Sequence, residues 1–266
     1  MDPKSLPKGS GAPRVMDNPL LVFVVALAIL SVSVYAGVFL RRLVRIPDEQ
    51  LREDFGVVQA ATLTLLGLII GFSFSMAVAR YDQRKSYEEQ EANAIGTEIV
   101  RADLLAPADA ERVRALLRAY LEQRIAFYAA ADEEQIGGVA AQTAKLQAEL
   151  WSAVREPARA QPTPIVALVV SGMNDVLNAQ GYTQAAWWNR IPIEAWGLML
   201  VIAACANALV GFGARSAKAE RGLLLVMPLV VSFAFFLIAD IESPRGGLIR
   251  VAPQNLLSLQ QSLQRP

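Results

Sequence analysis

The residues of this chain that could do chemistry are few and one-sided in type. Polar and charged side chains gather in two places: along Arg80, Glu91, Asn93 and Glu98, and around Asp240, Glu242, Pro244, Arg245 and Gly247. There is no histidine among 266 residues, which removes the commonest general base and zinc ligand. Cys205 is the single cysteine, so neither a disulfide nor a cysteine metal cluster can form within one chain. Asp240 and Glu242 offer hard oxygen ligands, but two are few for calcium; pairing with Arg245, Arg80 or Arg101 is the expectation, with no metal and no cofactor. Glu91 and Glu98 lie seven apart on one face and read as a salt-bridged helix surface. Gly211-Phe212-Gly213 lacks the glycine a dinucleotide loop needs next, and no Walker loop or nucleophile elbow is present. No catalytic residue follows, and the chain is not expected to be an enzyme.

Passage of small ions asks for a different pattern. Leu66, Ile70 and Phe74, spaced by four, form an apolar stripe that fits either lipid contact or a hydrophobic constriction of an oligomeric pore, which gates by dewetting. Arg80, two turns on, fits either snorkelling to headgroups or a ring that attracts anions. Beside this stripe, Gly67, Gly71 and Ser75 make a file of small residues that lets another backbone approach, within the subunit or between subunits. Asn207 is expensive in lipid and should face protein or water.

These residues need elements to hold them. The chain is 54% hydrophobic and 19% charged, with mean hydropathy +0.34, more apolar than an ordinary soluble domain. Lys+Arg and Asp+Glu are 25 each, so no global basic field exists to hold nucleic acid. A spanning helix needs about 20 apolar residues, and Leu20–Leu40, Gly56–Ala79, Trp196–Ala214 and Gly222–Ala239 carry no formal charge. The fold class is an all-α membrane protein: four transmembrane helices with a helical extramembrane domain inserted between spans 2 and 3. The expected segments are a flexible N-terminus over 1–18, spans 1 and 2 in 19–79, the helical domain over 80–195, spans 3 and 4 in 196–239, and a turn and tail over 240–266. The first span is read as retained, since Arg41-Arg42 follow it at once. The second span has no breaker, so one helix is expected from about Gly56 to about Leu105. Pro107 opens the next helix, Gly137-Gly138 break the chain, and further helices cover about Val139–Arg159 and Ile165–Asn178. Lys and Arg near the span ends number nine on the terminus side and seven on the short-loop side, which leaves orientation open.

Arg80-Tyr81-Asp82-Gln83-Arg84-Lys85, continuing to Glu91-Ala92-Asn93-Ala94-Ile95-Gly96-Thr97-Glu98, resembles the signature of a bacterial membrane family described as bestrophin-like, and Asp240-Ile241-Glu242-Ser243-Pro244-Arg245-Gly246-Gly247 fits it too. The resemblance runs from the first span to about Val251. Bestrophins are pentameric anion channels with four spans per subunit, a cytosolic helical region and a neck of apolar residues on the second span. The resemblance therefore implies a homo-oligomer, a pentamer, in the bacterial inner membrane, with membrane lipids and small inorganic ions as partners. It places the termini and helical domain in the cytoplasm, and Leu66, Ile70 and Phe74 look like the neck. The dense acidic run of the bestrophin calcium clasp is missing. The competing reading is a non-conducting scaffold or sensor whose helical domain binds a partner.

Overall fold

A computed structural model describes residues 18–44, 49–214 and 221–265. The expected flexible N-terminus, the middle of the first short loop and most of the second lie outside the described residues. Among those described there are eight α-helices and no strand: α1 Pro19–Leu43, α2 Glu49–Arg101, α3 Pro107–Ala129, α4 Glu133–Ala160, α5 Pro164–Trp188, α6 Ile193–Gly213, α7 Arg221–Glu242 and α8 Gln254–Gln264. Four stretches are long and apolar enough to cross a membrane: Pro19–Leu43, Glu53–Leu104, Pro164–Gly213 and Gly222–Glu242. The expected all-helical architecture with four such spans is what the chain adopts.

Local chemistry sets the helix ends. Asn18 caps α1 by accepting from the Leu21 amide at 3.2 Å, with Pro19 opening the first turn. Asp132 accepts from the Gln135 amide at 2.8 Å and starts α4. Gly137 and Gly138 therefore lie inside α4 rather than breaking the chain. Two glycines cost about 1 kcal/mol each, and the packing of Leu146, Leu150 and Val154 into the core offsets this. Thr163 caps α5, which runs on to Trp188, ten residues beyond the expected end. The second helix is 53 residues without interruption, beginning before Gly56, with Glu53 and Asp54 near its positive N-terminal end. Ala106 is extended (φ −57°, ψ 147°) ahead of Pro107, whose ring disfavours helix in the residue before it.

The chain divides into two compact units. Unit 1 comprises residues 1–81 and 190–250, and unit 2 comprises 82–189 with 251–266. Helix α2 contributes its first part to unit 1 and its second to unit 2. In unit 1, α1 packs on α6 and α7 around Ala26, Leu30, Met199, Ala203, Phe235 and Ile238. The crossing of α1 and α6 is built from two glycines: a Cβ on Gly37 would strike the Ala208 carbonyl, and one on Gly211 would strike the Val34 carbonyl. Backbone thus lies on backbone, as small residues permit in membrane helices. Arg41 donates to the carbonyls of Gly213, at 2.8 Å, and Ala214, placing a cation at the negative end of α6. In unit 2, the second part of α2 and helices α3, α4, α5 and α8 enclose Ile95, Val113, Leu117, Leu150, Met173 and Leu256.

Gly37→Ala and Gly211→Ala should each destabilise the protein by about 1–3 kcal/mol through overpacking, read as a lower Tm in detergent. Gly137→Ala, whose Cβ meets nothing within 4 Å, should leave Tm unchanged or raise it.

Candidate functional site

Of the four apolar windows, that of α2 is the least covered: 6% of it is buried, against 22%, 33% and 39% in the others. Its buried side is narrow. Leu66 and Ala77 are buried, and Leu63, Ile69 and Ile70 are partly covered. Successive residues turn by about 100°, so Gly67 stands to one side of Leu66 and the open surface continues from it through Gly71 and Ser75, all exposed, and a Cβ on either glycine meets nothing within 4 Å. Among the described residues, the two glycines of this file therefore have no packing partner in their own subunit. The stripe of Leu66, Ile70 and Phe74 crosses from one side to the other. Leu66 is 1% exposed inside the core, Ile70 is intermediate, and Phe74 is 40% exposed. Asn207 is buried and so faces protein, and its amide donates to the Ala203 carbonyl of its own helix at 2.8 Å. The tight glycine crossing lies instead at Gly37 and Gly211, which spacing within either single helix does not announce.

At the far end of this apolar run a polar clamp closes unit 1. Arg80 donates to Glu242 at 3.3 Å, and the other Glu242 oxygen accepts from the Ile191 amide at 2.9 Å. One carboxylate thereby ties α2, the end of α7 and the chain entering α6. Asp240 accepts from the amides of Leu248 at 2.7 Å and Ile249 at 2.9 Å, folding the turn after α7 back on itself. Gly247 lies against the Asp240 carbonyl, where a Cβ has no room, and Pro244 is buried. Arg245 is half-buried and has partners of its own. The two carboxylates are thus occupied by an arginine and by backbone amides. Among the described residues no group of three or more His, Cys, Asp or Glu could hold a metal.

The remaining polar residues lie in unit 2. Inward positions of α2 there include Arg84, Glu88, Glu91, Ile95 and Glu98, a 4-3-4-3 spacing, and all five are buried. The expected salt-bridged surface for Glu91 and Glu98 is therefore corrected: both carboxylates point into the bundle, while Asn93 is exposed. Charges can be buried only where partners answer them. Glu91 binds the Arg124 guanidinium through Nε at 2.5 Å and Nη2 at 3.4 Å, and accepts from the Thr183 hydroxyl at 3.2 Å. Arg124 also stacks over Phe127 at 4.5 Å, and Phe127 meets Trp187 edge-on at 4.9 Å. Burial, reinforced by the Glu91 charge, pushes the Tyr120 and Tyr128 phenols well above their ordinary value. Glu88 accepts from the backbone amides of Asn255 at 2.9 Å and Leu256 at 3.0 Å, and from the Asn255 side chain at 2.6 Å. It caps α8 from another helix. Helix α8, with Leu256 buried and Leu259 and Leu263 packed on the core, lies within the expected turn and tail. Its leucine spacing was readable, but its cap lies 167 residues away and was not. Arg124 and Thr183 were missed for the same reason, lying 33 and 92 residues from Glu91.

Arg124→Ala should leave Glu91 buried without its cation and cost about 3–5 kcal/mol, seen as loss of folded protein or a large fall in Tm. Glu91→Gln combined with Arg124→Met should recover most of that loss.

A family model described as Bestrophin-like domain matches residues 23–256. Among solved structures, the chain is similar to a bacterial Bestrophin homolog from Klebsiella pneumoniae phased by Zn-SAD, with TM-score 0.59 and 12% identity over 93% of this chain and 99% of that one. Two mutants of the bacterial Bestrophin homolog from Klebsiella pneumoniae give TM-scores of 0.62 and 0.58 at 11% and 13% identity, covering 93% and 90% of this chain and 99% of theirs. At such identities the likeness is one of fold. No curated protein matches in sequence. The family model, spanning both the helices of unit 1 and the buried polar seam of unit 2, establishes that the chain belongs to the Bestrophin-like family.

Proposed function

We propose that the protein is an oligomeric ion channel of the bacterial inner membrane, selective for small anions, in which α2 lines the pathway. The observation that carries this reading is the exposure of α2. A helix in the middle of a four-span chain would be expected to be enclosed, yet on one side Gly67, Gly71 and Ser75 are exposed, and a Cβ on either glycine meets nothing within 4 Å among the described residues. Identical copies arranged around an axis would cover that side, and cyclic closure is the common solution for such heterologous contacts. Phe74 stands at the edge of the open side and is the apolar constriction of this proposal, with Ile70 above it. Leu66, packed within the subunit, supports the position of α2 rather than meeting ions. Arg80 sets the positive mouth, with its field reduced by Glu242. The bestrophin resemblance supports a pentamer, with surrounding lipids on the outward apolar faces. It also supports unit 2 as a helical domain outside the bilayer on the cytoplasmic side, together with both termini.

A second reading, a scaffold or sensor, is favoured by one fact: α2 is a single helix that contributes residues to both units. Halide flux in proteoliposomes separates the two. The wild type should conduct, Phe74→Ala should conduct several-fold more, and Arg80→Ala should lose preference for anions over cations. A well-folded ring that passes no halide, either as wild type or with the Phe74→Ala substitution, or particles with no rotational axis, would leave the scaffold reading standing.

A further inference from the structure

Three glutamates of α2 are buried in unit 2, and two of them are fully answered by donors. Glu98 is different. It is 0% exposed, and neither carboxylate oxygen has a hydrogen-bond donor among the described residues. Its Oε2 lies directly over Gly172 of α5, in the space a Cβ would fill, and the Arg101 Nη1 borders the same space. Arg101 is meanwhile engaged with Asp175 at 3.8 Å, at a half-exposed position. An ionised carboxylate sealed against a glycine with no donor is far costlier than a neutral carboxyl.

We propose that Glu98 is a proton-binding site that holds α2 against α5, and that loss of its proton draws Arg101 from Asp175 to Glu98 and loosens this contact. The bond broken is the carboxyl O–H, and the proton goes to solvent. The surrounding charges fit such an exchange. Asp175 is the only Asp, Glu, Lys or Arg of α5, and α8 has none. Asp103, in the turn after α2, is taken by Arg114 of α3, and Glu91 by Arg124. Arg101 and Asp175 are the charged groups whose fields act on Glu98. Burial is the dominant influence and, opposed by Arg101 and aided by Asp175, pushes the Glu98 carboxyl from 4.5 up to about 8. A carboxyl raised in the folded state gives stability that is complete below its unfolded value and is lost as pH climbs from 4.5 through about 8. Glu98 lies beyond the apolar run of α2, and the inference holds whether or not the protein conducts.

The test is thermal unfolding of the full chain in detergent from about pH 5.5 to about pH 8.5, where each pH unit can change the folded-to-unfolded ratio by up to about tenfold. Wild type should lose Tm across this range. Glu98→Gln, which keeps the shape of the neutral carboxyl, should flatten the profile and exceed wild type at the alkaline end. Hydrogen exchange on the wild type supplies a measurement free of any variant. Protection of amides 95–101 and 169–176, corrected for the intrinsic pH dependence of exchange, should fall as pH rises. Equal slopes for wild type and Glu98→Gln, or protection independent of pH, would overturn the proposal.

Discussion

An ionised carboxylate buried on a helix must be answered by a donor, and of the three carboxyls that α2 buries along one face, Glu88 and Glu91 are answered in this way. This requirement fixes much of unit 2. Glu91 calls for Arg124 and Thr183, which sets α3 and α5 against α2 in one register. Glu88 calls for the free amides at the start of a helix, and α8 supplies them. An apolar face would have allowed the neighbouring helices to slide by a turn at small cost. A guanidinium bonded through two nitrogens does not. The seam therefore holds α3 and α5 in one register against α2.

The same helix meets the opposite requirement in its first half. There no charge occurs for 24 residues, and the surface is divided between a narrow buried side and a broad open one. Large side chains at Leu68, Phe72 and Met76 and small ones at Gly67, Gly71 and Ser75 occupy different sectors of the open side. A lipid-facing helix has no need for a file of glycines, because acyl chains mould to any side chain. A file that lets a backbone approach closely gains from a facing helix. The division into two kinds of open surface is what supports the proposed assembly around α2.

Acidic residues near the end of α7 have two different uses. Glu242 holds Arg80 and the Ile191 amide, joining segments distant in the chain, while Asp240 folds only the turn that follows it. Both are occupied by protein donors, and the turn owes its shape to Gly247, where the Asp240 carbonyl leaves no room for a side chain.

Composition and spacing were enough for four apolar spans, for helices without strands among the described residues and for an unbroken second helix, because lipid thickness and helical period are written directly in runs of residue type. They were also enough to place Arg80 beside Glu242 as one of the possible pairs. They misjudged Glu91 and Glu98, since a charged heptad position looks the same whether water or Arg124 answers it. They misjudged Gly137 and Gly138 because a cap at Asp132 and packing at Leu150 outweigh two weak helix formers. The crossing at Gly37 and Gly211, the capping of α8 by Glu88 and the donorless burial of Glu98 were decided only by the tertiary structure. Each depends on which distant segment arrives at a given face, and a linear pattern records the face without recording its partner.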